Sequence, residues 1–199
     1  FKQKTAYEIK ECDWSSDVCS SDLFSWDQVR AEVYGSDGNC NMAYLAVDRH
    51  CGGPLRDQVA FRWLGRDGTV VDTTFAALRE QSNRFANVLR KLGVEKGERV
   101  FALTGRIPAL YAAALGTLKN TSVFCPLFSA FGPEPVWQRL SRGNAKVLLT
   151  TERLYRKTVA GLRERLPDLR YILIADAEQD LDANVLALAP LLINASADF

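Results

Sequence analysis

"RVFALTGRIPALYAAALGTLKNTSVFCPLF", residues 99–128, decides the fold. It opens with a short apolar run bounded by Gly105, the pattern of a strand buried on both faces. Residues 107–120 follow as a helix, and Pro108 sits in its first turn, where a missing N–H costs little. A second apolar run at 122–128 returns as a strand. A strand, a crossover helix of this length and another strand make a right-handed parallel βαβ unit.

The same alternation extends on both sides. Upstream, "VAFRWL" (59–64) and "TVVDTTF" (69–75) are β-branched and aromatic runs, and Asp67-Gly68 between them favours a tight hairpin turn. Thr74 is placed to N-cap a helix whose face carries Phe75, Leu78, Phe85, Leu89 and Leu92, with Gly93 as its stop. Downstream, "PEPVWQRLSRG" (133–143) reads as a short helix, "AKVLLTT" (145–151) as a strand, "ERLYRKTVAGLRERL" (152–166) as a helix, and "RYILIAD" (170–176) as a strand. The expected fold class is α/β, a largely parallel sheet with crossover helices. Beyond residue 177 the pattern supports one short helix and no fresh strand. Residues 24–57 form an N-terminal extension with one helix at "NMAYLAVDRH" (41–50), Met42, Leu45 and Ala46 sharing a side, and 58–199 form the α/β domain.

Residues 1–23 fit none of this. They lack a sustained period, and back-translation of 2–9 and 13–23 yields nucleotide runs resembling the two constant parts of a short-read sequencing adapter, with Lys10, Glu11 and Cys12 at the barcode. This stretch is therefore read as an artefactual, disordered tail and set aside. No peptide from residues 2–23 is expected in mass spectra of the source organism, and detecting one refutes the reading.

Composition narrows the function. The 199 residues carry a formal charge of +1, and about +3 without the first 23. The basic residues are interleaved with acids, which argues against nucleic acid or an anionic membrane as partner. Of five cysteines, Cys40, Cys51 and Cys125 lie past the excluded stretch, an odd set without metal spacing that suits reduced thiols in a cytoplasmic protein. His50, the only histidine, adjoins Cys51, but helix neighbours point about 100° apart, so a catalytic pair is not expected. Cys125 reads as a small core residue. "LTGRIP" (103–108) lies where a strand hands over to a helix, the edge at which parallel sheets bind ligands, yet it lacks the full glycine spacing of a dinucleotide site, and no phosphate loop of the Gly-x-x-x-x-Gly-Lys-Ser/Thr type is present. On pattern alone Arg153, Arg156 and Lys157 make a solvated helix face.

Several blocks, in order, carry a resemblance: "FSWDQVRAEV", "NMAYLAVDRH", "RFANVLRKLGVEKGERVFALTGRIPALYAAALGTLKN", "VFCPLFSAFGPEPVWQRL" and "AKVLLTT". Together the stretch from Phe24 onward resembles the N-terminal part of AMP-forming acetyl-CoA synthetases, members of the adenylate-forming superfamily, with "PLFSAFGPE" the most specific block. Asn120-Thr121-Ser122 departs from the glycine and alanine that many relatives carry there.

The resemblance implies an incomplete N-terminal domain of an adenylate-forming enzyme, ending before the family's phosphate loop and adenylate-stabilising lysine. It implies acetate, ATP and CoA as substrates, with Mg²⁺, in the full-length protein. It also implies that this chain alone is inactive and prone to self-association through exposed core. By the same resemblance Phe128, Ser129, Ala130, Phe131 and Gly132 lie near the CoA nucleotide, and Arg153 and Arg156 belong to the CoA-facing helix, Arg156 on a phosphate; no residue of the chain is assigned a catalytic or metal-binding role. A ligase for propionate or another short acid, and a non-catalytic α/β interaction module, are the alternatives.

Overall fold

A computed structural model describes residues 25–34 and 40–199; residues 1–24 and 35–39, including the adapter-like stretch, lie outside it. The chain divides into two compact units, residues 1–40 and 41–199. In the first, helix α1 (Trp26–Tyr34) buries none of its residues and carries an Arg30–Asp27 ion pair at 3.3 Å.

The second unit opens with helix α2 (Met42–Ala46), capped by Asn41, whose Oδ1 accepts from the Ala43 amide at 2.9 Å, and continues as a 3-10 turn over Asp48–Gly52. The buried side is Ala43, Val47 and Cys51, spaced four apart, whereas Met42 is 64% exposed. The expected face of Met42, Leu45 and Ala46 is thus turned by roughly one residue. Cys51 Sγ lies 3.4 Å from the carbonyls of Val47 and Phe75, while His50 packs edge-on against the Phe75 ring and accepts from Arg49 Nε. The pair is structural, and burial pushes the Cys51 thiol above its ordinary pKa.

Strands β1 (Val59–Leu64) and β2 (Val70–Thr74) form the antiparallel hairpin. Asp67 accepts from the Thr69 amide at 3.0 Å, and Gly68 takes φ +83°, a conformation that glycine adopts without a Cβ clash. Helix α3 (Phe75–Lys91) starts where expected, with Thr74 Oγ1 accepting from the Ala77 amide at 3.1 Å, and ends at Gly93 with φ +71°.

Next come β3 (Arg99–Leu103), α4 (Pro108–Lys119), β4 (Val123–Pro126), α5 (Pro133–Arg142), β5 (Ala145–Thr150), a helical run from Glu152 to Arg165, β6 (Tyr171–Ile174), β7 (Val185–Ala187) and α7 (Leu188–Ile193). The sheet runs in the order β4-β3-β5-β6-β7, every neighbour parallel.

Both faces of this sheet are covered, and alternation within each strand explains how. Val100, Ala102, Val147, Leu149 and Leu173 pack with Phe85, Leu89 and Ala113 of α3 and α4 on one face. Phe101, Leu103, Leu148, Ile172 and Ile174 pack with Val136 and Leu140 of α5 and Val159 and Leu162 of the following run on the other. Each fully buried Leu or Ile contributes about 1.5–3 kcal/mol, so the two layers hold most of the apolar driving force.

Besides the turned face of α2, and the two helices α1 and α2 where one was expected in 24–57, three features depart from the sequence reading. The stretch 152–165 is an α turn (α6, Glu152–Leu154), then a π turn (Tyr155–Val159) and a 3-10 turn (Ala160–Arg165). The widened turn, closed by Ala160 N–H donating to Tyr155 O, places Leu154, Thr158, Val159 and Leu162 all inward. A fresh strand, β7, follows residue 177; its three residues are too few to show a period and are defined by pairing with Ile172–Ile174. Cys125 is half-buried because β4 is the sheet edge, and partial burial raises its thiol pKa.

Candidate functional site

At the carboxyl ends of the parallel strands, β3 ends in Leu103, Thr104 and Gly105, and β5 leads through Thr150 into α6. Thr150 Oγ1 donates to Leu103 O at 2.8 Å, and the Glu152 amide donates to Asp176 Oδ1 at 2.7 Å, tying three strand ends together. Thr104 is buried, and its hydroxyl oxygen has no hydrogen-bond partner among the described residues.

A cleft of about 810 Å³ opens above this edge, lined by Arg62, Trp63 and Leu64 of β1, Arg66 of the hairpin turn, Gly105 and Arg106 of the β3–α4 turn, Tyr111 of α4, Ser129 and Arg153. One bond holds its wall: Trp63 Nε1 donates to Arg106 O at 2.8 Å, linking the hairpin to the β3–α4 turn. The rings of Phe61 and Tyr111 are tilted at 37° to one another with centroids 5.2 Å apart, beside that wall.

The cleft is cationic. Arg62 is neutralised by a bidentate pair with Asp72 at 2.6 and 2.7 Å, which holds the Asp72 carboxyl below its ordinary pKa. The Asp67 carboxylate is committed to Thr69, whose hydrogen bonds lower its pKa. Arg66, Arg106 and Arg153 have no ion-pair partner among the described residues.

The structure brings Ser129 and Arg153 into this cleft. Phe128, 66% exposed, packs edge-on against Phe131 at 5.6 Å, and Phe131 lies under the Arg139 guanidinium at 4.3 Å. Ala130 is exposed, and Gly132 sits at the N-cap of α5. Arg156 is not among the lining residues; its guanidinium holds Glu152 Oε1 at 2.7–2.8 Å, one turn back on the same run. The contribution of Arg62, Arg66 and Arg106 escaped the sequence reading, although "LTGRIP" marked the strand end that carries Arg106. No group of three or more His, Cys, Asp or Glu able to hold a metal occurs among the described residues, and no helix there is long and apolar enough to cross a membrane.

A doubly covered parallel sheet with a cationic, aromatic-walled cleft at its carboxyl edge defines an α/β ligand-binding domain. The family model described as AMP-binding enzyme matches residues 48–191, and the chain belongs to that family. Among curated relatives, the acetyl-coenzyme A synthetase of Bacillus subtilis is 37% identical over 152 residues, covering 75% of this chain and 26% of its own length. The 3-hydroxypropionyl-coenzyme A synthetase of Metallosphaera sedula is 33% identical over 148 residues, covering 70% and 22%. The crystal structure of a Brucella canis acyl-CoA synthetase superposes with a TM-score of 0.75 at 26% identity, covering 89% of this chain and 32% of that one. The chain thus spans about a quarter of the curated relatives it matches.

Proposed function

We propose that this chain is the N-terminal part of an AMP-forming acetate–CoA ligase acting in the cytoplasm. The observation that carries the proposal is the 37% identity to an acetyl-coenzyme A synthetase over 152 residues, 75% of this chain. In the proposed reaction, an acetate oxygen attacks the α-phosphate of ATP, pyrophosphate leaves, and the CoA thiol then displaces AMP from the acyl carbon to give acetyl-CoA. Mg²⁺ neutralises phosphate charge during the first step. The residues here belong to the second: Phe128, Ser129, Ala130, Phe131 and Gly132 form the surface for the nucleotide end of CoA, with Arg153 and Arg156 beside it. The chain lacks a phosphate loop motif of its own, so it is inactive alone, and its exposed Ile193 and Val123 favour self-association.

The relative active on 3-hydroxypropionate supports a second reading, a ligase for another short acid. Product analysis decides between them. The full-length protein, given ATP, CoA, Mg²⁺ and acetate, is expected to yield AMP and acetyl-CoA; ADP as the nucleotide product, or turnover with propionate alone, contradicts the acetate reading.

In that full-length protein Arg156→Ala is expected to raise the apparent KM for CoA about 10- to 100-fold, the loss of a charge-assisted phosphate contact of roughly 1.5–3 kcal/mol. Acetate-dependent adenylation should barely change. Impaired adenylation with unchanged CoA dependence shows instead that Arg156 serves the fold through Glu152.

A further inference from the structure

We infer that residues 194–199 form a strap that lifts from helix α3 as a unit, latched by Asn83, Arg84 and Asn87, and that the buried Asp48–Lys119 pair sets this latch through Asn83. The latch residues hold the strap by its main chain. Arg84 Nη1 donates to the carbonyls of Leu192, Ile193 and Ala195 at 3.2, 3.3 and 2.6 Å. Asn87 Nδ2 donates to those of Ser196 and Asp198 at 3.0 and 2.8 Å, and Asn83 Nδ2 to that of Ala197 at 2.7 Å. The Arg90 guanidinium lies 4.1 Å from the centre of the Phe199 ring. Glu80 Oε1 accepts from Arg84 at 2.9 and 3.1 Å, which aims the guanidinium at the end of α7, where helix carbonyls lack partners and favour a cation.

Little else holds the strap. None of residues 191–199 is fully buried, and the backbone bonds there are local, from the Asn194 amide to Pro190 O and from the Ala195 amide to Leu192 O. A segment with few buried apolar contacts, fastened by polar side chains, opens at lower free energy than a sheet covered on both faces. Ala197 and Asp198 wall a cavity of about 350 Å³ that is also lined by Cys51, Arg56 and Arg79. Lifting the strap uncovers that cavity and its thiol.

Asn83 joins the strap to the core. Its Oδ1 accepts from the Lys119 ammonium at 2.6 Å while its Nδ2 donates to Ala197 O, and Lys119 donates in turn to Asp48 at 2.7 Å. An ammonium only donates and a carbonyl only accepts, so a single orientation of the carboxamide satisfies both; the reverse sets N–H against N–H and oxygen against oxygen. Lys119 and Asp48 make no hydrogen bond or ion pair with the strap among the described residues, yet they orient the group that receives it. The device thus links the segment carrying Asp48 to the strap across α4 and α3.

Amide hydrogen exchange, followed by NMR on the 199-residue chain, tests the inference independently of the ligase reading. The Asn194 and Ala195 amides are expected to exchange at least 100-fold faster than those of Leu149 in β5 and Leu173 in β6, with little dependence on low denaturant. Arg84→Ala should speed the strap amides about 10-fold and leave the sheet amides unchanged. Asn83→Asp separates the latch from the fold: it offers Lys119 a second carboxylate but removes the donor to Ala197 O. That variant should speed strap exchange about 10-fold while the sheet amides stay the same or slow. Lys119→Met, which removes the orienting donor, should speed it several-fold. Arg79→Ala, in the same cavity wall without a bond to the strap, should have no effect. Alkylation of Cys51, read by peptide mapping against the exposed Cys40, should rise with strap exchange in each variant.

Strap amides that exchange only with the sheet, at the same rate and denaturant dependence, overturn the strap as a unit. Unchanged strap exchange in Arg84→Ala, or an equal rise in Arg79→Ala, overturns the latch. Coupling to the buried pair is overturned if strap exchange is unchanged in Lys119→Met; should that variant fail to fold, Asn83→Asp decides, and equal changes at strap and sheet count against it. Cys51 alkylation that stays constant as strap exchange rises overturns the strap as the cover of the cavity.

Discussion

Gly116→Ala is expected to lower stability by about 2–3 kcal/mol, or roughly 5–10 °C in melting temperature for a domain of this size, and Gly116→Val to abolish soluble folding. Alanine ordinarily favours a helix over glycine by about 1 kcal/mol, so propensity points the other way. Contact decides. Helices α3 and α4 cross at Gly116, where an added Cβ meets the Ser82 carbonyl oxygen at 2.6 Å, Phe85 Cβ at 2.8 Å and Phe85 Cδ1 at 2.9 Å. Two of these atoms are fixed by the α3 backbone, so relief requires the helices to part, and Phe85 is among the most buried side chains in the protein. Gly161, in open space on the 160–165 turn, is the matched control: Gly161→Ala should be neutral or stabilising by up to about 1 kcal/mol. Thermal melts of the two variants check the contrast, and equal losses would show that helix packing at residue 116 is looser than the geometry requires.

Asp48→Ala is expected to cost about 3 kcal/mol because it strands a buried cation. Lys119, the last residue of α4, is 4% exposed, and its ammonium donates to Asp48 Oδ1 at 2.7 Å and to Asn83 Oδ1 at 2.6 Å. Removing the carboxylate leaves the charge with a single neutral acceptor, whereas replacing both charged partners removes the buried charge and leaves only the neutral Asn83 Oδ1 without its donor, a smaller cost. The double variant Asp48→Ala/Lys119→Met should therefore be more stable than Asp48→Ala alone, as denaturant melts will show.

Lys119 also makes stability depend on pH. Burial is the leading cause that pulls its pKa below the ordinary value of 10.5, with the Asp48 pair opposing. The folded chain then releases this proton at lower pH than the unfolded chain, so over the interval between the folded pKa and 10.5 the unfolded state binds more protons. Stability contributed through this group rises with pH across that window. The stability of the unmutated protein relative to Lys119→Met should increase as the pH approaches 10.5; a relative decrease would mean that the ion pair outweighs desolvation.

How far the sequence reveals this molecule differs by element. Strands β3, β5 and β6 are apolar runs whose alternate residues serve opposite faces, and α3 carries its cap, stripe and glycine stop in plain order, so local rules and tertiary packing agree there. Strand β7 was not legible, because "VLA" followed by "LAPLLI" reads as one apolar stretch and only pairing with β6 divides it. The face of α2 was misplaced since five residues define a helical stripe weakly, and the bond from Asn41 Nδ2 to Leu118 O helps fix how the segment meets α4.

The cleft was half legible. Ser129 and Arg153 were reached through family resemblance; Arg106 was missed although its strand end was marked, and Arg66 looks like an ordinary hairpin-turn residue until the Trp63 indole pins that hairpin to the β3–α4 turn. Thr121 shows the reverse case: its φ of 57° is unusual for a β-branched residue and was not legible in the sequence, and bonds from Asn120 to Val94 O and from Ser122 to Glu95 O hold the turn.

The central claim is that this chain supplies the CoA-facing part of an acetate–CoA ligase whose adenylating groups lie elsewhere in the full-length protein. Acetate-dependent exchange of labelled pyrophosphate into ATP tests it most directly, run on the 199-residue chain and on the full-length protein side by side. The account predicts exchange by the full-length protein without any need for CoA, and none by the chain alone. Exchange by the chain alone, or a full-length protein that fails to exchange with acetate or any other short acid, would contradict it.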